Sequence, residues 1–78
     1  MSQPDPDLVV LGRTIRELRE EHGMSNADLA GAAQLTPERL GAIEAGEFDV
    51  TYDVIVELAA GIGVRPAQLI RGVADNGG

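Results

Sequence analysis

The chain has no cysteine among its 78 residues. That excludes a disulfide framework or a thiolate metal site and agrees with a reducing cytoplasm. Tryptophan is missing as well, and Phe48 and Tyr52 are the only aromatic residues, so a core has to be assembled from aliphatic side chains. No apolar run approaches the ~20 residues that a membrane-spanning helix needs. Nor is there a basic segment followed by an apolar stretch, the pattern that opens a secretory signal. The expectation is a soluble, cytoplasmic domain with no membrane partner. Lysine is absent too. Arg13, Arg16, Arg19, Arg39, Arg65 and Arg71 supply all six positive charges against 13 acidic residues, for a formal net charge of −7. That balance counts against association with a polyanion, because affinity for nucleic acid comes largely from neutralising phosphates.

The parts of a catalytic or metal centre are equally scarce. Ser2 and Ser25 are the only serines and His22 the only histidine. A nucleophile needs an adjacent base and an orienting group, and a metal needs a set of ligands. No enzyme, no cofactor and no metal are expected. His22 falls in the last turn of a helix, where a histidine has a plain dipole reason to sit.

What is present is helical periodicity. A chain this short buries only about 60% of its unfolded surface, so each core position counts. Residues 1–7 contain two prolines and two aspartates without an apolar pattern and read as a lead-in, with the first helix starting near Pro6 or Asp7. Residues 73–78 end in Asn-Gly-Gly and read as a second tail. The domain is expected over residues 8–72. Leu8, Leu11, Ile15 and Leu18 lie on one face of a first helix over about 8–22, which Gly23 ends. A second helix over about 26–33 has Ser25 as its cap, with Asp28 completing a short form of the capping box. A third, over about 37–45, has Thr36 as its cap and Pro37 at its first position, with Glu38 at the positive end of its dipole. A fourth follows Thr51 and turns Ile55, Leu58, Ala59 and Ile62 inward before Gly63. A fifth, over about 66–71, contributes Leu69 and Ile70. Strand signals are nearly absent, so the fold class is all-α.

Residues 25–46 carry the functional signal. Two capped helices are joined by a turn of three or four residues. Leu29, Ala30, Leu35, Leu40 and Ile43 form the inner surface where they cross, and Ala30 is small enough for a close approach. Such a pair leaves the outer face of its second helix free to enter a DNA major groove. With these residues in view, residues 11–69 resemble the Cro/CI-type, or XRE, family of helix-turn-helix regulators. The matching residues are Ile15-Arg16-Glu17-Leu18-Arg19, Gly23-Met24-Ser25, Leu29-Ala30, Leu35-Thr36, Ile43-Glu44-Ala45-Gly46, Leu58-Ala59 and Ile62-Gly63-Val64, in family order and spacing.

The resemblance implies a five-helix, lambda-repressor-like domain that binds double-stranded DNA, with its third helix in the major groove. By position, Ser25 and Asn26 would meet phosphate, and Thr36 would cap first and touch phosphate second. Pro37, Glu38, Arg39 and Ala42 would face base edges or the groove wall. Arg19 and Glu44 would form an ion pair between helices one and three. A homodimer is expected, since one recognition helix reads only a few base pairs. Its surface is expected on helix five and the adjoining end of helix four, through Leu69, Ile70 and Val73. No effector domain is expected within a fold of this size, and control is expected to fall to abundance, dimerisation or a partner protein.

Several positions depart from the family pattern. Asn26 is shorter than the usual glutamine, Pro37 and Gly41 offer no side-chain hydrogen bond, and Gln34 stands where the turn commonly has glycine. Glu47 and Asp49 lie in the loop near the expected phosphate track. Together with the net charge, these departures sustain an alternative, an acidic protein-interaction module that keeps the fold with weak or no DNA binding. The antitoxin half of a two-gene system would combine both activities. At residue level, Arg39 suits either a guanine edge or a pair with a neighbouring acid such as Glu38. Arg13 and Arg16 suit helix-surface pairs with Glu17 and Glu20. Phe48 is expected to pack the loop onto the core, and Tyr52 to be a surface or interface residue.

Overall fold

The structure is a computed structural model in which residues 6–48 and 50–71 are described. Five helices follow in order: α1 (Pro6–Glu21), α2 (Asn26–Ala32), α3 (Pro37–Glu44), α4 (Tyr52–Ile62) and α5 (Pro66–Leu69). There is no strand among the described residues. The all-α, five-helix expectation holds, and α1 begins at Pro6, one of its two expected starts. The tail at 73–78, the lead-in up to residue 5, and Asp49 and Val73 lie outside the described residues.

The helices begin where local chemistry offers the first-turn amides a partner. Ser25 Oγ accepts from the Asp28 backbone N–H at 3.0 Å, and the Asp28 carboxylate accepts from the Ser25 N–H at 3.1 Å, a complete capping box. Thr36 Oγ1 accepts from the Arg39 N–H at 3.1 Å, and Thr51 Oγ1 from the Val54 N–H at 3.4 Å. Proline occupies the first position of α3 and α5, where no intrahelical N–H is needed.

Ile15, Leu29, Leu40, Leu58 and Leu69 are fully buried at the centre, and no polar or charged residue among those described joins them. One expectation fails here. Leu69, assigned from sequence to a dimer surface, has no exposure at all. Helix α5 packs against both α4 and α1 and closes the core with this side chain. Ile70 is only partly buried and lies beside the core.

Two glycines set how closely helices approach. A Cβ on Gly12 would fall well inside van der Waals distance of the Ile43 and Glu44 carbonyl oxygens, so the backbones of α1 and α3 touch there. Gly61 costs α4 about 1 kcal/mol of helix propensity. In exchange α4 lies close on α2, for a Cβ at Gly61 would sit 2.9 Å from Leu29 Cδ1 and 3.1 Å from Ala32 Cβ. The turn between α2 and α3 keeps its tight shape although its central residue is not glycine. Gln34 adopts a left-handed φ of 62°, at about 1 kcal/mol of steric cost. Its neighbour Leu35 donates its N–H back to Ala30 O at 2.8 Å, closing the end of α2.

Candidate nucleic-acid interface

The α2–α3 pair brings together the residues singled out from sequence. Buried Leu40 and Ile43 anchor the inner side of α3, while Thr36, Pro37, Glu38 and Arg39 stand exposed along its first turn. Ala42 is half-buried. Ser25 is exposed at the start of α2, and Asn26 is half-buried. The Asn26 amide nitrogen lies 4.0 Å from where a Cβ of Gly41 would be. The start of α2 therefore crosses the middle of α3, and the two helix N-termini with their hydroxyl caps belong to one motif.

The family-implied ion pair is present and nearly buried. Arg19 Nε and Nη2 donate to the two Glu44 carboxylate oxygens at 2.7 and 3.1 Å, and Arg19 Nη1 donates to Met24 O at 2.9 Å. The two side chains are only 11% and 8% exposed. The hydrogen bonds to Glu44 raise the Arg19 pKa further above its ordinary value, against the opposing pull of burial. This guanidinium ties α1, α3 and the turn after α1 together and is consumed in doing so.

The remaining arginines divide. Arg16 pairs with Glu20 at 3.3 Å on the open surface of α1, a contact worth little. No ion pair joins Arg13 to Glu17 among the described residues, contrary to the spacing argument. Arg39 does not pair with Glu38. Its guanidinium carbon lies 5.6 Å from the centroid of the Phe48 ring, a cation–π arrangement. Phe48 is 48% exposed, so it is not the core-packing residue expected of it. The loop turns its ring toward Arg39 instead. Sequence spacing gave no sign of this contact, and the one available signal was a large apolar residue standing in an acidic loop. Tyr52 is exposed as expected.

His22 Nδ1 donates to Leu18 O at 2.8 Å at the end of α1, in keeping with a helix-end role. Among the described residues no group of acidic or histidine side chains converges as a metal site. No helix among the described residues is long and apolar enough to cross a membrane.

A family profile described as a helix-turn-helix domain matches residues 10–71. The chain belongs to the XRE-type helix-turn-helix regulators. Within this family it is similar to the HTH-type transcriptional regulator DdrOP3 of Deinococcus deserti, at 36% identity over 59 residues. That match covers 76% of this chain and 46% of the relative, so the helix-turn-helix chain spans about half the relative's length. Among solved structures it is similar to the restriction-modification controller protein C.AhdI from Aeromonas hydrophila, with a TM-score of 0.81 at 34% identity. That alignment covers 83% of this chain and 98% of the controller protein. The clp gene regulator ClgR from Corynebacterium glutamicum shares the helix-turn-helix fold, with a TM-score of 0.85 at 22% identity over 95% of this chain and 79% of the other.

Proposed function

We propose that this helix-turn-helix regulator acts in the cytoplasm by binding double-stranded DNA in a sequence-dependent way, with α3 in the major groove. The observation that carries the reading is Arg39. It stands exposed on the first turn of α3, and among the described residues no carboxylate takes up its guanidinium. A guanidinium so placed can donate two hydrogen bonds to the O6 and N7 of a guanine. The caps support the same role. Thr36 uses its oxygen to accept from the Arg39 amide, which leaves its hydroxyl hydrogen free to donate to a phosphate at a helix N-terminus. The Ser25 hydroxyl, by contrast, is shared with the Asp28 carboxylate and would exchange that partner for phosphate. Asn26 adds amide donors beside them. Pro37 and Ala42 present apolar surface of the kind that meets a thymine methyl, and Glu38 stabilises the helix start. The names of the relatives, a transcriptional regulator and a controller protein, point the same way.

One α3 reads few base pairs, so the binding unit we propose is a homodimer on two half-sites about one helical turn apart. With Leu69 withdrawn into the core, Ile70 is the described residue of the expected surface that remains partly open.

The net charge of −7 favours a second reading, an acidic interaction module with a protein partner and weak or no DNA binding. Fluorescence anisotropy with random-sequence duplex separates the two. Binding that weakens steeply with salt, and weakens further in Arg39→Ala, supports the DNA reading. No binding at ~50 mM salt, where phosphate contacts are strong, overturns it in favour of the protein partner.

A further inference from the structure

We propose that Phe48 is a positioning residue for base recognition. Its ring holds the Arg39 guanidinium in place while leaving the edge of that guanidinium free to read DNA. The inference rests on the DNA-binding reading above. Three observations carry it. The Arg39 guanidinium carbon lies 5.6 Å from the Phe48 centroid. Phe48 is 48% exposed, although a large apolar side chain in a small domain is normally spent on the core. Neither Glu38 nor the exposed Glu47 beside Phe48 pairs with Arg39, although both are close in sequence.

The two ways of restraining an arginine differ in what they leave over. A carboxylate takes the N–H donors in the guanidinium plane, the same donors a guanine edge needs. An aromatic ring attracts the cation through the ring face, so the donors at the guanidinium edge stay available. A free arginine also loses rotamer entropy when it is fixed. A partner that orders it before DNA arrives removes part of that loss from the binding step. Phe48 therefore acts on recognition through Arg39, from a loop that need not itself reach a base. An acidic loop next to a polyanion makes sense of the ring as well, since it keeps the cation engaged without surrendering its donors to Glu47.

The test is a double-mutant cycle on a duplex recovered by selection from random DNA. Phe48→Ala in the otherwise unchanged chain is expected to weaken binding about two- to five-fold, the worth of an exposed cation–π contact. The loss should concentrate at the base pair where Arg39→Ala relaxes discrimination. Phe48→Tyr should restore binding, and Phe48→Leu, apolar but without a ring, should not. In an Arg39→Ala background, Phe48→Ala should have no further effect. An equal effect of Phe48→Ala in both backgrounds, or full function in Phe48→Leu, overturns the proposal while leaving DNA binding intact. Failure of the unchanged chain to bind DNA overturns the functional reading and this inference with it. Both side chains are exposed, so the variants should fold; matching urea midpoints check this, and loss of the ring-current shift on the Arg39 side-chain resonances in Phe48→Leu checks the contact without DNA.

Discussion

Glycine in the middle of a helix usually invites alanine, and Gly12 and Gly41 give opposite answers to that substitution. Either change gains about 1 kcal/mol of helix propensity. At Gly41 the nearest atom to the new Cβ is the Asn26 amide nitrogen at 4.0 Å, an ordinary contact. Propensity should decide there, and Gly41→Ala should be more stable by up to about 1 kcal/mol. At Gly12 the Cβ would lie 2.5 Å from the Glu44 carbonyl oxygen, where a comfortable carbon–oxygen contact is ~3.3 Å. The obstacle is backbone at the end of α3, which cannot swing aside as a flexible side chain would. Helices α1 and α3 must part by several tenths of an ångström. Overpacking of this kind costs about 1–3 kcal/mol, and the Arg19–Glu44 pair spans the same two helices. Clash outweighs propensity, and Gly12→Ala should lose up to about 2 kcal/mol net. In a domain of this size each kcal/mol moves the melting temperature by roughly 4–8 °C. Urea and thermal unfolding followed by far-UV circular dichroism would resolve the difference. A Gly12→Ala protein as stable as Gly41→Ala would refute the claim that α1 and α3 meet backbone to backbone.

Removing one side of the Arg19–Glu44 pair should cost far more than removing both. Glu44→Ala strands a mostly buried guanidinium and is expected to destabilise by about 3 kcal/mol, whereas Arg19→Met with Glu44→Met should recover most of the loss. Equal urea midpoints for the single and double variants would contradict this. The exposed Asp28 carboxylate is held below its ordinary pKa by the Ser25 backbone N–H first and its side chain second. Because its folded pKa is the lower one, its contribution is fully present above the unfolded value near 3.8 and fades as pH falls through the folded value. The stability gap between the unchanged chain and Asp28→Asn should therefore narrow on acidification below about pH 4, where a pH-independent gap would contradict the capping-box account.

The residues that start and stop the helices could be read directly from the chain, and so could most of the core. Ser25 with Asp28, and Thr36 with Arg39, satisfy hydrogen bonds only three residues apart. The inward set from Leu11 to Ile62 follows helical spacing, another relation within one or two turns. The candidate interface was partly legible for the same reason, since Thr36, Pro37, Glu38 and Arg39 share the first turn of α3. The Arg19–Glu44 pair spans 25 positions and was foreseen only through family resemblance.

What the tertiary structure decided lies between segments far apart in the chain. Leu69 sits in a helix of four residues, too short for periodicity to define a face, and only docking onto α1 and α4 sent it inward. Gly12 owes its necessity to carbonyls of α3, and Asn26 meets Gly41 because α2 crosses α3. Gln34 could take the left-handed turn despite its side chain because packing of the flanking helices outweighs about 1 kcal/mol of local strain. Phe48 met Arg39 because the loop after α3 returns along that helix. Hydrogen bonds and periodicity within a few residues are written in the chain itself, whereas the separation and orientation of two backbones arise only when the whole core is packed.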